Sequence, residues 1–525
     1  MKKVATFSTI FSTIWIVSIL FVLSESFSRF FVKASDTWQH VVSVTLPNIT
    51  SATLILVGGT MLLTGILGVL SAYFVVTFEF KFRRWIRFLL YFPLAIPPYI
   101  FAYVLTHFLG YTGFLQTTLR SFGLFKPEWF EWNAMVLGMI VFSMTLYPYV
   151  YISTKSFLER FMGNYVETAR TLGSRSTGIF FKIALPLAMN AFIGGMVLVA
   201  LEVLGDYGTV VYLNIPTFSI AIFRSWFALR DFDSALRLAG FLLIIVFIIL
   251  IIEHILRKNT KQVMPANIRP LKRKQLKGIK HVALVSYFIF ILFLALGLPL
   301  LHLIGWAFIT FSRIYWNDFG SQLFNTMFLG LVVTSAIVMI GFVIGNYTRL
   351  KHTPWSIVVS KITLLGYSIP GSVMAILVLF AFITLSSQFN LLLTAGLGML
   401  MYGLIIRYLG LGYQNIEWGF KKIGLKNNEI SQTLGKTYLQ GLFQIEVPLL
   451  KSSLLAAFAL VFIDVIKELP LTLNLRPFNY HTLATQVYRY AGDERLFEAA
   501  IPSLAIIFIS MVFLYPVIAS VNKED

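Results

Sequence analysis

The chain has 525 residues, 58% of them hydrophobic and only 12% charged, with a formal net charge of +19 and no cysteine. A soluble domain carries about 25% charged residues, so the composition excludes a large water-soluble domain and points to a bilayer as the main solvent. Disulfides, thiolate metal sites and cysteine nucleophiles are excluded as well, and the basic excess lies in short segments beside apolar runs, where it reads as topology signal rather than a nucleic-acid surface.

Lys2 and Lys3 precede an apolar run from Phe7 to Val32. That run exceeds the ~7–15-residue core of a secretory signal, and Ser24-Glu25-Ser26 is not a small-x-small cleavage site, so a retained first helix is expected. Each span needs roughly 20 apolar residues. Candidates fall near 9–31, 51–77, 86–108, 134–154, 188–205, 238–256, 282–311, 325–348, 356–384, 391–413, 450–468 and 499–521, twelve in all. Basic clusters alternate with them: Lys81, Arg83, Arg84 and Arg87; Lys155, Arg160, Arg170, Arg175 and Lys182; Arg257 through Lys280; Arg349 and Lys351; Lys421, Lys422, Lys426 and Lys436. All fall on the side of Lys2, which predicts cytoplasmic termini, with Glu167 and Lys272 inside and Lys126 and Asp231 outside. The Arg257–Lys280 stretch contains Pro265 and Pro270 and lacks an apolar face, as a solvated linker would. It divides the chain into a first unit (1–256), a linker (257–281) and a second unit (282–525).

The two units repeat each other. Glu167, Thr171, Leu172, Gly173, Phe181, Ile183, Pro186 and Leu187 reappear 262 residues later as Glu429, Thr433, Leu434, Gly435, Phe443, Ile445, Pro448 and Leu449. The same register pairs Glu202 with Asp464, Asp206 with Glu468, and Asp231 with Asp493. Ungapped identities at one offset mark a tandem duplication. Six spans per unit is an even number, so the expected fold is all-α and polytopic, with about twelve transmembrane helices in two parallel six-helix repeats around an axis along the membrane normal.

Tyr165, Ala169 and Leu172 follow i, i+4, i+7, which predicts a short amphipathic helix. Gly173 can end it in the left-handed conformation, and a second short helix would run toward Pro186 to complete a protruding knob. Glu167-Thr168-Ala169, Gly173, Ile183 and Leu185-Pro186, with Glu429-Ile430-Ser431, Gly435, Ile445 and Val447-Pro448, resemble the Glu-Ala-Ala loop of type I ABC importer permeases. Both copies depart from that pattern at its alanines. The resemblance implies that Glu167, Ala169, Gly173, Pro186, Glu429, Gly435 and Pro448 couple this chain to an ATPase subunit. Gly435-Lys436-Thr437 imitates the end of a phosphate-binding loop, but Ile430 stands where that motif needs glycine. No ATP site, bound cofactor or catalytic constellation is expected here, and a partner subunit would use the ATP.

A narrower resemblance follows each loop. Leu201-Glu202-Val203-Leu204-Gly205-Asp206-Tyr207-Gly208, with Pro216-Thr217-Phe218 and Ile222-Phe223-Arg224-Ser225-Trp226, is similar to the first half of ferric-iron permeases. Asp464-Val465-Ile466-Lys467-Glu468-Leu469-Pro470, with Arg476-Pro477-Phe478-Asn479 and Thr482-Leu483-Ala484-Thr485, is similar to the second. The resemblance implies a bacterial inner-membrane permease working with two copies of a cytoplasmic ATP-binding subunit and a periplasmic ferric-binding protein. Fused permeases for thiamine, phosphonate or other solutes share this architecture. An ion-coupled secondary transporter is the reading from a different class, and the duplicated knob argues against it.

Carboxylates inside a span cost about 2.5–3.5 kcal/mol on insertion scales, so they face a polar cavity or a partner. Glu202, Asp206, Asp464 and Glu468 are therefore candidates to border a translocation path. Lys467 or backbone amides are the alternative partners, in a structural role. The histidines His40, His107, His254, His281, His302, His352 and His481 are scattered without ligand spacing, and no metal ligand set is assigned. Tyr147, Pro148, Tyr149 and Tyr151 read as an interfacial aromatic belt in preference to a pathway lining.

Overall fold

A computed structural model describes residues 2–30, 36–124, 132–174, 176–258, 271–351, 353–390 and 396–523. Among them, ten helices are long and apolar enough to cross a membrane, or eleven if Arg83–Ala95 and Pro98–Ser121, bent by 97°, form one broken span. Twelve were expected; the span 86–108 is this bent pair, and the other difference lies in the second half. The expected span 356–384 is split by Pro370 into Pro354–Ser368 and Gly371–Phe389. The expected span 391–413 corresponds to Leu397–Ile423, which carries Arg407, Glu417, Lys421 and Lys422 and falls outside the ten.

Four of the long helices contain the same device. Five-residue π-helical turns at Val41–Thr45, Phe180–Ala184, Phe293–Gly297 and Leu442–Glu446 run directly into Leu46-Pro47, Leu185-Pro186, Leu298-Pro299 and Val447-Pro448. Proline lacks an N–H and its ring crowds the carbonyl four residues back, so an α-helix would kink there. The wider turn bonds five residues back, as Leu185 N–H does to the Phe180 carbonyl, and the helix passes through.

The halves are interlocked by exchange of their first helices. Lys2–Phe30 lies along Trp316–Leu350, Pro354–Ser368 and Gly371–Phe389 of the other half. There Tyr402 Oη donates to the Ser18 carbonyl at 3.3 Å and Trp355 Nε1 donates to Thr13 Oγ1 at 3.2 Å. Reciprocally, Ile279–Leu292 packs on the first half, with Tyr287 Oη 3.2 Å from Ser71 Oγ and Phe288 stacked on Phe80 at 5.3 Å.

Where it is described, the linker is mostly exposed, with two anchor points from residue 271 onward. Leu271 is buried, and Lys274–Gln275 pairs in parallel with Phe78–Glu79. Arg170 Nη1 donates to the Lys272 carbonyl at 2.9 Å, so Lys272 and the repeated loop after Glu167 share one end of the molecule. Lys126, Arg175 and His352 lie outside the described residues.

Candidate functional site

The duplicated acidic positions sit at helix breaks of matching geometry. The Leu185–Gly205 helix ends at Asp206 (φ −72°, ψ 139°) and the Val447–Lys467 helix at Glu468 (φ −65°, ψ 128°). Tyr207 (φ −121°, ψ −43°) and Leu469 (φ −115°, ψ −57°) then start the short helices Gly208–Tyr212 and Pro470–Leu475. Two proline breaks match as closely: Pro97 (φ −58°, ψ 136°) opens Pro98–Leu109, and Pro370 (φ −55°, ψ 143°) opens Gly371–Phe389.

Asp206, Glu468, Pro97 and Pro98 line one cavity of about 70 Å³, with Pro370 and Gly371 behind it against Gly205 and Arg407. Its wall contains both members of six pairs separated by 262 residues: Thr145 and Arg407, Leu146 and Tyr408, Glu202 and Asp464, Gly205 and Lys467, Asp206 and Glu468, Gly208 and Pro470. The cavity therefore straddles the pseudo-twofold axis, and all four acidic residues singled out from sequence meet in it.

Hydrogen bonding divides the four. Asp206 accepts the Thr209 amide at 2.8 Å. Glu468 accepts the amides of Leu471 (2.8 Å) and Thr472 (2.9 Å) and the Thr472 hydroxyl (2.8 Å). These two carboxylates satisfy free N–H groups where the chain restarts as helix. Glu202 and Asp464, one turn earlier, meet side chains instead. Tyr367 and Tyr149 hydroxyls donate to Glu202 Oε1 at 2.9 and 3.5 Å, and Lys467 Nζ lies 2.7 Å from Asp464 Oδ1. Both structural partners named from sequence, Lys467 and backbone amides, are present.

The second half adds a cation that sequence reading missed. Arg407 Nη1 lies 3.8 Å from Glu468 Oε1. A Cβ on Gly371 would stand 1.7 Å from that nitrogen, so glycine is needed there to make room. Four carboxylates thus share the cavity with two cations, and both cations come from the second repeat, where the first has Thr145 and Gly205. A lone arginine inside an otherwise apolar run was the available signal for Arg407. The belt reading of the Tyr147–Tyr151 segment is also corrected: Tyr147 and Tyr151 are fully buried, and Tyr149 reaches Glu202, because this helix faces protein rather than an interface.

The repeated loops are equally matched. Ser174 N–H bonds to the Ala169 carbonyl at 2.9 Å and Lys436 N–H to the Ser431 carbonyl at 3.1 Å, around Gly173 (φ 76°) and Gly435 (φ 82°). This is the bonding that ends a helix in a left-handed residue. Ala169 is buried, Glu167 half-buried, and Glu429, Pro186 and Pro448 exposed. Leu172 and Leu434 project at 80% and 75% exposure, joined by Phe181 and Phe443, so each tip presents a matched apolar pair. The expected isolated first helix is the end of the 38-residue Ala134–Thr171 helix. In the second repeat Gly424 (φ 67°) separates Leu397–Ile423 from Lys426–Thr433. The expected second short helix continues through the π turn into the next span in both repeats.

His107 and His302, distant in sequence, approach with ring centroids 5.9 Å apart beside Trp306 and Phe497. Among the described residues, no three His, Cys, Asp or Glu side chains gather as a metal ligand set.

Residues 64–257 match the family described as binding-protein-dependent transport system inner membrane component. The chain is 24% identical over 446 residues to the Fe(3+)-transport system permease protein FbpB 2 of Haemophilus influenzae, covering 83% of this chain and 82% of the relative. It is 21% identical over 394 residues to the ferric transport system permease protein FbpB of Actinobacillus pleuropneumoniae, covering 71% of this chain and 56% of the relative. A 152-residue stretch, 28% of this chain and 64% of the relative, is 32% identical to the molybdenum transport system permease protein ModB of Escherichia coli. The chain therefore spans most of the first relative and less than two thirds of the other two. Over residues 64–257 it is similar to the inner membrane components of binding-protein-dependent transport systems, and over most of its length it is similar to ferric-iron permease proteins.

Proposed function

We propose that this chain is the two-in-one permease of an ATP-driven importer that carries ferric iron from a periplasmic binding protein across the bacterial inner membrane, with both its termini in the cytoplasm. Residues 1–256 and 282–525 act as the two permease repeats. The observation that carries the reading is the cavity on the pseudo-twofold axis, where four carboxylates outnumber two cations. An excess of anionic oxygens suits a hard cation and repels oxyanions such as molybdate and sulfate, which are named for other relatives. At about 70 Å³ the cavity is small for thiamine or a polyamine and has room for an ion.

Each repeated loop offers an apolar pair on a rigid turn to one of two ATP-binding subunits. Glu167, Ala169, Gly173 and Pro186, with Glu429, Gly435 and Pro448, form these docking elements. Closure of the ATPase dimer would then move the halves against each other and open the axis alternately to either side. The chain itself transports and does not hydrolyse ATP.

The test is uptake of labelled ferric iron into vesicles containing the permease, its ATPase and the loaded binding protein. Glu202→Gln and Asp464→Asn remove the two carboxylates that cap no helix, and each should cut uptake strongly at normal protein level. Asp206→Asn and Glu468→Gln keep an acceptor oxygen for the backbone and should cost less. Wild-type rates in all four variants would end the cation-path reading, and loss of uptake only with loss of protein would assign the four a structural role.

A further inference from the structure

Two tyrosine hydroxyls meet one carboxylate of this cavity from behind its wall. Tyr367, from the second repeat, and Tyr149, from the first, both donate to Glu202 Oε1, at 2.9 and 3.5 Å. Tyr99 lines the same cavity, is 3% exposed, and its hydroxyl has no hydrogen-bond partner among the described residues. A buried tyrosine hydroxyl normally finds a partner. One left open in a cavity walled by carboxylates is placed to receive a ligand. We propose that Glu202, Asp464, Tyr149, Tyr367 and Tyr99 form a transient ferric-ion station whose selectivity comes from phenol oxygens. This inference rests on the ferric reading above and adds to it a ligand set and a proton path.

The chemistry follows from the contacts. Carboxylates alone bind any hard cation, calcium and magnesium included. A phenolate is a more basic anionic oxygen, and the trivalent ferric ion rewards it far more than divalent ions do. A phenol must lose its proton to bind in that way, and Glu202 Oε1 already accepts the Tyr367 O–H. Binding then exchanges the O–H bond of Tyr367 for an iron–oxygen bond while the proton moves to Glu202, which becomes a neutral carboxylic acid. Two of the ion's three charges are met by the Tyr367 phenolate and the Asp464 carboxylate and the third by the Asp206 carboxylate of the same cavity; no redox change occurs, and the reverse transfer releases the ion. Lys467 Nζ, 2.7 Å from Asp464, competes with a cation for that carboxylate and must swing away as iron arrives. Its counterpart in the first repeat is Gly205, so one half supplies a removable counter-ion and the other leaves space.

Ferric phenolates absorb visible light through ligand-to-metal charge transfer, which gives a readout independent of transport. The assembled permease–ATPase complex is titrated with ferric nitrilotriacetate, with and without ATP, and visible absorption and resonance Raman tyrosinate modes are recorded. Wild type should develop the band in proportion to one iron per complex. The double variant Tyr149→Phe, Tyr367→Phe keeps the rings and their packing and should lose most of the band and slow ferric uptake at least tenfold, while Tyr147→Phe, buried outside the cavity, should keep both. Ferric uptake by wild type without the band refutes the station and leaves the transport reading standing. A band of equal strength in the double variant shows adventitious iron and also overturns it, whereas absence of both band and uptake in wild type removes the station together with the ferric reading.

Discussion

Gly173 and Gly435 allow the proposed docking role of the repeated loops to be tested by backbone conformation alone. Their φ values are 76° and 82°, and a Cβ on either would meet nothing within 4 Å, so any substitution acts through the backbone before it acts through space. An L-residue forced into the left-handed region costs about 1–2 kcal/mol, most for a β-branched side chain, while asparagine tolerates it. Each 1.4 kcal/mol is a factor of ten in an equilibrium. Gly435→Val should therefore weaken association of the ATPase subunit about tenfold, and the double variant with Gly173→Val about a hundredfold, with membrane insertion intact. Gly435→Asn should stay near wild type. The assay is titration of the purified ATPase subunit onto the permease in lipid nanodiscs. Equal losses for Asn and Val would show that the side chain itself meets the partner, and wild-type binding by the valine double variant would remove the docking assignment.

Gly371→Ala should displace Arg407, because the new Cβ would stand 1.7 Å from its Nη1, whereas Gly205→Ala meets the same guanidinium at 3.5 Å and should be mild; uptake rates at matched protein level compare them. The pair Arg349–Glu446, 2.7 Å apart and buried, anchors only the second loop, since Ala184 occupies the equivalent place in the first. Removing one buried partner leaves an uncompensated charge, so Arg349→Met should destabilise by about 3–5 kcal/mol, read as a lower Tm of the purified permease. Cysteines placed at Lys272 and Asp231 in this cysteine-free chain should react with impermeant reagent from opposite faces of the membrane; labelling from one face contradicts the six-plus-six topology.

The duplication was legible because identities at one constant offset survive divergence, and the offset carried the acidic pairs directly to the cavity wall. Hydropathy could not show where helices break. Pro97 and Pro370 lie inside runs that read as continuous spans, and the bends there come from two consecutive extended residues, not from any loss of apolar character. Arg407 and Tyr367 escaped, and Tyr149 reads as part of a belt, for a related reason: each lies on a helix whose apolar composition hides an inward-facing polar side chain, and only the crossing of both halves reveals what it meets. The exchange of first helices and the docking of Lys274–Gln275 on Phe78–Glu79 depend on contacts between distant segments, to which local patterns are blind. The split of the acidic four into helix-capping and side-chain-facing pairs needed the geometry of both breaks.

The central claim, that a cation crosses at the axis between the repeats, is tested most directly by substrate profile. Proteoliposomes containing the permease and its ATPase, supplied with the binding protein and ATP, are offered labelled ferric iron, molybdate, sulfate and spermidine in turn. ATP-dependent accumulation of ferric iron alone is the predicted result; accumulation of an oxyanion, with iron excluded, would contradict the account.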